Sequence, residues 1–497
     1  MSKQTKNTKN SNSILIATFF LFFATAIMGR LSAFVDYYFT YWNIEVSDRL
    51  ISKLIWATFY LLFVVIVLIN DIFRYWREIN DGKEYTNVKN SLSINTKQEN
   101  IQGKVTLNRK KEFTFRNKIN ILILKIWESK VAFYKENKII VWASLAIVVS
   151  SLFSALFAYN KSESIWGLPY YALLVSIPLM IKYVWGNKLQ FKLVIFQNII
   201  LIVLALVALY QSRIYNYLGA EVHPVISFFD TYGGFMPISF FLIWDDLIYL
   251  RPSSLMVDPN FLAIFSVIAL SYNAAFLPRV REIKKHFWRI VTTVILCSSI
   301  FSVAYIVIAS ASRTAVLMLV VAISTYLTIK VVSYISSRLS LVRKKPAKLY
   351  SSVIWVYLYN IYLRIKDGLL LKDVSSLQRI EYAKISLQAF KEYPVTGIGI
   401  GSYGDYYRNV FDSSAGVATP HNAYMRTLAE MGFLGVAAFL FYFVAFVKVI
   451  LDNRKYIYLA TLFGIVAGSI FYDFIMTPWM WIYFGIIYAD ATNKKTE

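Results

Sequence analysis

The chain has 497 residues, of which 57% are hydrophobic and only 16% are charged, and its mean hydropathy is +0.51. So little charge cannot cover the surface of a soluble globule, and several apolar runs approach the roughly 20 residues that cross a bilayer. The composition therefore excludes a soluble domain and predicts a polytopic, all-α membrane protein. Basic loops on one side of a membrane explain the net charge of +23, so we expect no nucleic-acid partner.

Twelve apolar runs are predicted to be transmembrane helices. They cover residues 14–35, 54–70, 139–159, 165–185, 191–210, 260–277, 290–311, 314–333, 349–365, 433–450, 456–472 and 475–490. The first run follows Lys3, Lys6 and Lys9, which also permits a signal peptide, but the sequence after it does not read as the start of a mature domain.

The distribution of basic residues predicts the orientation. With a cytoplasmic N-terminus, the short inner loops and tails contain nineteen Lys and Arg residues. The outer loops contain six, which are Arg49, Lys53, Lys161, Arg213, Arg251 and Arg313. Because basic residues concentrate on the cytoplasmic side, this asymmetry predicts that both termini are cytoplasmic.

This topology divides the chain into five segments. They are 1–70 with the first two helices, 71–138 as a basic cytoplasmic loop, 139–365 with helices three to nine and an outer loop at 211–259, 366–432 as an extracytoplasmic catalytic loop, and 433–497 with the last three helices and a cytoplasmic tail. The loop 71–138 has fifteen Lys and Arg against eight Asp and Glu, which predicts an interfacial helix on anionic headgroups or, alternatively, a docking site for a partner.

Two segments in the outer loops are predicted to have local structure. The run at 237–244 is too short to span the membrane, so we predict an interfacial or re-entrant piece. Residues 376–393 have a helical pattern that Pro394 would end. In this helix the apolar residues recur at intervals of three and four, which predicts a face on the membrane surface; they are Ile380, Ala383, Leu387 and Phe390.

Three arginines lie in the loops predicted to be outside: Arg251, Arg313 in a short turn between two spans, and Arg379 in the helix just described. A guanidinium keeps its charge at any working pH and binds phosphate oxygens with paired hydrogen bonds. The three could therefore clamp a pyrophosphate without a metal. An arginine that extends to the membrane interface is the alternative interpretation of Arg251.

His421 is the predicted catalytic residue. Thr419 can cap a helix and Pro420 fits its first position, so His421 and Asn422 would lie in the first turn of a helix that runs to Gly432. The helix dipole there disfavours imidazolium, which predicts a neutral ring able to accept a proton. A hydrogen-bonded structural histidine is the alternative.

The sequence predicts neither a metal site nor a cofactor. His223 and His286 are far from His421 in sequence, and there is no HExxH or clustered acidic motif. The glycine-rich stretch 397–401 follows no strand, so it predicts a tight turn rather than a dinucleotide-binding fingerprint.

The order of these motifs resembles the O-antigen ligase and polymerase superfamily, the Wzy/WaaL type of the GT-C class of glycosyltransferases. The motifs are RPSSLMVDPN at 251–260, SRT at 312–314, RIEYAKISLQAFKEYPVTGIGIGSY at 379–403 and HNAYMRTLAEMGFLG at 421–435. The resemblance is strongest over 375–440, and before residue 250 it is topological only. Many members have a glycine between the first arginine and the Asn motif, whereas this chain has PSSLMVDPN.

The resemblance implies a transferase at the outer leaflet of the bacterial cytoplasmic membrane. The donor would be a glycan on undecaprenyl pyrophosphate, and an acceptor sugar hydroxyl would attack its anomeric carbon. In this comparison Arg251 and Arg379 match the arginines that hold the pyrophosphate, and His421 matches the histidine that activates the acceptor or orients the reacting groups. The resulting assignment is catalysis by His421 and Arg379 and substrate binding by Arg251, Arg313, Asn260, Asn422 and Tyr424.

Three functions are compatible with these motifs. We expect a polymerase for capsule, O-antigen or another surface polysaccharide, with a ligase that attaches finished glycan to lipid A core or another terminal acceptor as the alternative. A flippase for lipid-linked oligosaccharides is the rival from a different class. The expected partners are the lipid-linked oligosaccharide, the glycan acceptor and the bilayer, together with a flippase and a chain-length regulator.

Overall fold

The computed structural model describes residues 48–80, 115–185, 187–218, 241–244, 247–254, 256, 258–339, 374–411, 419–473 and 475–493. In chain order the elements are α1 Asp48–Asn80, α2 Phe115–Leu156, α3 Lys161–Val184, α4 Asn187–Leu218, β1 Phe241–Trp244, β2 Leu247–Leu250, α5 Pro259–Phe276, a 3-10 turn Leu277–Glu282, α6 His286–Ser310, α7 Arg313–Leu339, α8 Val374–Glu392, α9 Tyr403–Val410, α10 Ala423–Asp452, α11 Tyr456–Gly468 and α12 Pro478–Ala491.

Seven stretches within the described residues are long and apolar enough to cross a membrane. They are Ile119–Leu156, Lys161–Val184, Gln190–Ser212, Pro259–Glu282, His286–Ser310, Arg313–Ser333 and Ala423–Asp452. The runs predicted at 14–35 and 349–365 lie outside the described residues. Those predicted at 456–472 and 475–490 form helices of only 13 and 14 residues. Several apolar helices are thus confirmed, but twelve spans are not.

Helix α2 continues from the segment predicted as an interfacial helix into the segment predicted as a span, with a kink next to the predicted boundary at 138. Asn137 interrupts the helix with φ −111° and ψ 18°. The Asn137 side chain donates to Phe133 O at 2.7 Å and accepts from the Tyr488 hydroxyl at 2.5 Å, so the bend is satisfied by hydrogen bonds.

The predicted all-α fold is confirmed in the described residues apart from one two-stranded hairpin, which takes up part of the run predicted as an interfacial or re-entrant piece at 237–244. Residues 241–244 form β1, which pairs antiparallel with β2 so that Phe241 faces Leu250. Aromatic and β-branched residues in both segments favour strands. The rest of the described regular structure is helical, and β2 leads directly into Arg251.

The core of the bundle is centred on α5, which contacts α4, α6, α7, α11 and α12. A buried amide network fixes it: Asn273 donates to Asn198 Oδ1 at 2.6 Å and to Ser299 Oγ at 3.2 Å. Such bonds between membrane helices each contribute about 0.6 kcal/mol on average. The network therefore holds the depth and rotation of α5, whose N-terminal end carries Asp258 and Asn260.

Candidate functional site

The helix predicted at 376–393 is confirmed as α8, which ends at Glu392 before Pro394. Its protein-facing side differs from the apolar stripe read from the sequence. Ile385 and Ala389 are buried against Tyr403, Tyr406 and other residues of the loop. Leu387, which belongs to the predicted membrane-facing stripe, is 43% exposed.

The tight turn predicted at the glycine-rich stretch is confirmed. Gly397, Gly399 and Gly401 have φ values of +69°, +103° and +80°, which residues other than glycine rarely adopt. A Cβ on Gly399 would lie 2.3 Å from the Ala158 Cβ, so the turn also requires space. The backbone of the turn is hydrogen-bonded to protein on both sides: Gly399 N donates to Glu430 O at 3.0 Å, and Ile398 O accepts from Tyr159 N at 2.7 Å.

The partner of this turn is a break in α10 at Gly432, which has φ 60° and ψ −155°. The amides that lose their helical acceptors at the break find new ones, because Phe433 N donates to Pro394 O at 2.9 Å and Leu434 N donates to Val395 O at 3.1 Å. The break separates a short helix, 423–431, from the long apolar part of α10. The turn therefore fixes the position of the short helix that follows His421.

His421 itself lies before the helix, so its predicted place in the first turn is wrong. Asn422 is the N-cap and α10 begins at Ala423. His421 has φ +47°, the left-handed conformation, which costs of order 1–3 kcal/mol for a residue other than glycine. Such strain persists only where the surroundings fix it, and it is found preferentially at functional sites.

Two aromatic rings and a hydroxyl surround the His421 imidazole. Its ring centroid is 6.2 Å from those of Tyr382 and Tyr472, and Nε2 is 3.3 Å from Thr419 Oγ1. The ring is exposed on one side, but burial by the protein around the rest of it lowers the pKa of His421, and Arg379 lowers this pKa further. A neutral ring is thus favoured as predicted, and burial is the largest cause.

Arg251 is held at the junction of two helices. Its Nε donates to Ser310 O at 2.6 Å and its Nη2 donates to Asn260 Oδ1 at 3.1 Å. Burial lowers the pKa of Arg251, and the charges of Arg313 and Arg379 lower it further, while Asp258 raises it. Arg251 is therefore a partly buried group fixed to the protein, which disfavours the alternative of an arginine that merely extends to the interface.

The structure brings the three predicted arginines into one neighbourhood. Arg313 is exposed and is the first residue of α7, which follows α6 after a turn of two residues. Arg379 is half-buried on α8. Arg313 and Arg379 both lower the pKa of Arg251, and Arg379 also lowers the pKa of His421. Like charges held this close repel one another, so the cluster favours an anion.

The other three residues predicted to bind substrate each make a hydrogen bond within the protein. Asn260 accepts the hydrogen bond from Arg251, and Asn422 Oδ1 accepts from the backbone N–H groups of Tyr424 and Met425, both at 3.0 Å. The Tyr424 hydroxyl donates to Val466 O at 2.7 Å. Each therefore has a role in fixing the site, and none is shown to face a substrate.

Sequence reasoning missed two residues at the site. Asp258 caps α5 by accepting from Asn260 N at 2.6 Å, and its carboxylate raises the pKa of both Arg251 and His421. The Asp-Pro pair before an apolar run is a helix-start signal that could have indicated this cap. Tyr472, beside His421, follows α11 and has no local pattern that would mark it.

Sequence reasoning also missed a buried ion cluster near the start of α10, whose charges affect the pKa of His421. Arg426 Nε lies 3.1 Å from Glu430 Oε2, and Arg426 also pairs with Asp473. The spacing of Arg426 and Glu430 is that of neighbours on one helix face, but Asp473 is remote in sequence. Within the described residues, no group of three or more His, Cys, Asp and Glu side chains is placed to hold a metal ion.

An apolar groove of about 530 Å³ begins next to the site. It starts at Ala423 and Tyr424, two residues after His421, and continues along α10 to Phe446. Its floor is buried and includes Trp481 of α12. The lining crosses the break at Gly432 and continues on the long apolar part of α10 from Val436 to Phe446.

These features define a helical protein with several apolar helices and a polar site of arginine and histidine at the end of an apolar groove. Residues 297–440 match the family model of O-antigen ligase, Wzy_C, so the resemblance to the O-antigen ligase and polymerase superfamily is confirmed over this segment. The match includes Arg313, Arg379 and His421 but begins after Arg251 and Asn260. No curated protein matches the chain.

The family match suggests an activity at a coarse level. It suggests a ligase or polymerase of polysaccharide, and thus a glycosyltransferase-like enzyme. Together with the apolar helices it indicates a multi-pass membrane protein.

Proposed function

We propose that the protein is a polymerase of a surface polysaccharide of the O-antigen or capsule type. It transfers glycan from undecaprenyl pyrophosphate to an acceptor sugar hydroxyl at the outer face of the bacterial cytoplasmic membrane. The observation that supports this most directly is that α8, which carries Arg379, contacts His421 through Tyr382, with ring centroids 6.2 Å apart, and that Arg379 lowers the pKa of both Arg251 and His421. An anion site and a base in one neighbourhood are what this transfer requires.

The arginine cluster would bind the diphosphate. Arg251 is oriented by Ser310 and Asn260, so the plane of its guanidinium group has a fixed direction. Binding a doubly charged group would relieve the repulsion among Arg251, Arg313 and Arg379. As the bond to the anomeric carbon breaks, charge develops on the departing diphosphate, where fixed guanidinium groups stabilise it without a metal.

His421 would act as the general base. A neutral imidazole can take the proton of the acceptor hydroxyl while the hydroxyl oxygen forms its bond to the anomeric carbon. Because the pKa of His421 is lowered, the imidazole is neutral in most molecules at pH 7. We propose a single displacement, which inverts the anomeric configuration, and a product with the configuration of the donor would exclude it.

The apolar groove along α10 would hold the polyprenyl tail of the donor. The groove begins at Ala423 and Tyr424, next to the site that would bind the diphosphate, and it continues along the apolar part of α10 to Phe446. A lipid with an anionic head and a long apolar tail could thus occupy both parts at once.

The experiment that tests this function is a transfer assay with purified protein. The substrates are synthetic repeat units on undecaprenyl pyrophosphate, without added metal, and product length is measured. A polymerase yields a ladder of lengthening chains on the carrier. No new glycosidic bond with any acceptor, while lipid-linked oligosaccharide crosses the bilayer of a proteoliposome, would instead establish the flippase.

Ligase activity is the alternative within the same family, and the surface glycan of a deletion strain separates it from polymerase activity. Single repeat units on the acceptor indicate a lost polymerase. Long chains that stay on the carrier lipid indicate a lost ligase.

A further inference from the structure

A second, polar pocket lies apart from the arginine and histidine site. It has a volume of about 490 Å³, within the range of about 300–1,000 Å³ that is usual for small-molecule sites. Its lining comes from the corner between α2 and α3 and from α9, and includes Tyr159, Asn160, Lys161, Asp405 and Asn409.

Hydrogen bonds within the pocket hold its polar groups in place. The Asn160 amide donates to the Asp405 carboxylate, and Asn409 Nδ2 donates to the Tyr159 hydroxyl at 3.2 Å. The Tyr159 ring packs edge-on against Tyr406, with centroids 5.6 Å apart, and is 42% exposed. Lys161 and Asn409 are also exposed. The pocket thus offers amide, carboxylate and ammonium groups next to an aromatic ring, all on a fixed scaffold.

This combination fits a sugar. A pyranose ring carries adjacent hydroxyl groups that pair with planar amides and carboxylates, and its C–H faces pack against aromatic rings. A lipid tail would leave the polar groups of the pocket unsatisfied, which is costly.

The pocket and the His421 site lie on opposite sides of α9. On one side Asp405 and Asn409, one helical turn apart on α9, line the pocket. On the other side the Tyr407 ring is 5.3 Å from the Tyr382 ring, which in turn is 6.2 Å from His421. Because a helix with its side chains is about 10–12 Å across, a glycan of a few sugar rings that extends over α9 can reach both.

We propose that this pocket is a carbohydrate subsite that binds a sugar of the glycan several residues away from the reacting bond. The inference rests on the proposed transferase function. Binding energy gained at such a distance holds the chain in register while the terminal sugar reacts. Either the acceptor chain or the glycan of the donor can supply this sugar, because both carry the same repeat unit.

If the pocket only ties α9 to the α2–α3 corner, changes at its rim should not selectively weaken the binding of long oligosaccharides. Asp405 serves that tie through Asn160 and Arg408. Lys161 and Asn409 are the better residues to change because both are exposed at the rim. The double variant Lys161→Ala/Asn409→Ala removes sugar contacts and the hydrogen bond from Asn409 to Tyr159, and it keeps the bonds of Asp405. Lys384→Ala, an exposed lysine on α8 outside the pocket, is the matched control.

The test is direct binding, which needs no catalysis. Oligosaccharides of one to four repeat units, prepared from the surface polysaccharide of the host, are titrated into the full-length protein and its variants in nanodiscs. We expect the double variant to weaken binding of the longer oligosaccharides about tenfold, as the loss of one or two hydrogen bonds predicts, and to leave the shortest unaffected. The control should bind like the wild type.

The same variants in the transfer assay identify the source of the sugar. A raised KM for the acceptor alone indicates the acceptor chain, and a raised KM for the donor alone indicates the donor glycan. Wild-type binding by the double variant, or equal losses with short and long oligosaccharides, would overturn the subsite. If oligosaccharides bind as expected but no transfer occurs, the subsite stands and the proposed transferase function fails.

Discussion

The protonation state of His421 decides whether it can act as a base, and its surroundings favour the neutral ring. Burial and the nearby Arg379 lower its pKa from an ordinary value near 6.5. The neutral fraction, and with it the transfer rate, should therefore rise with pH through a point below 6.5 and be flat at neutral pH. Measurement of kcat/KM from pH 4.5 to 8 checks this, and a rising limb centred above pH 7 would contradict it.

Arg379 can be separated into its charge and its shape. Arg379→Lys keeps a positive charge near His421 but loses the paired hydrogen bonds of a guanidinium. We expect a large drop in transfer with the rising limb of the pH profile unmoved. Arg379→Gln also removes the charge that lowers the pKa of His421, so its limb should move to higher pH. Wild-type turnover by the lysine variant would reduce Arg379 to a simple electrostatic anchor.

Removal of the imidazole should lower the rate by the amount that general-base catalysis usually contributes. We expect His421→Ala to lose about 10²- to 10⁴-fold in kcat, because the acceptor hydroxyl is a poor nucleophile without a base. His286→Ala, at the exposed start of α6, is the matched control. A His421→Ala protein that inserts normally and elongates glycan at the wild-type rate would remove the catalytic assignment.

At the scale of elements, the glycine turn and the break in α10 form one unit. Gly399 and Gly401 both have positive φ, but a Cβ on Gly399 would lie 2.3 Å from Ala158 whereas the nearest atom to one on Gly401 is 3.8 Å away. We expect Gly401→Ala to cost about 1–3 kcal/mol for the backbone conformation alone. Gly399→Ala should cost more because neighbouring backbone must also move. Thermal unfolding in detergent measures both, and equal costs would show that space does not matter.

The ion cluster of Arg426 should stabilise the short helix after His421. Arg426→Met leaves Glu430 and Asp473 buried without a counter-charge, which typically costs about 3–5 kcal/mol. Asp473→Asn keeps the pair of Arg426 with Glu430 and should cost less. Lys448→Met, in the exposed pair with Asp452 on the same helix, should cost at most about 1 kcal/mol. Thermal unfolding of the three variants checks this order, and a smaller loss for Arg426→Met than for Asp473→Asn would refute it.

The sequence predicts elements and motifs that depend on local patterns, and misses what depends on pairing over long distances. Pro394 and the glycines mark the end of α8 and the turn after it, because both are local signals. The pairing of that turn with Gly432, and of Arg426 with Asp473, joins segments far apart in the chain, and no spacing rule reveals it. The sequence predicts a helix start at Thr419, whereas the helix starts at Asn422. Both residues are acceptable N-caps, and only the fold selects Asn422.

At the scale of the whole molecule, the site is assembled from both halves of the described chain. Arg251 follows β2 and is held by the end of α6 and the start of α5. Arg379 and His421 come from the loop whose glycine turn is hydrogen-bonded to the corner between α2 and α3. The family match begins at residue 297, so the part of the site contributed by Arg251 and Asn260 lies outside it. Substrate binding should therefore depend on how the bundle holds α5 as well as on the matched segment.

The groove along α10 allows a test of how donor and protein fit together. Val436 lines the groove, while Val444 on the same helix is exposed and outside it. If the polyprenyl tail occupies the groove, Val436→Trp fills part of its space and should raise KM for a long-tailed donor several-fold, since each buried CH₂ contributes about 0.8 kcal/mol. A donor whose tail is too short to reach Val436 should be unaffected. Val444→Trp should behave like the wild type with both donors, and an equal effect of the two substitutions would place the tail elsewhere.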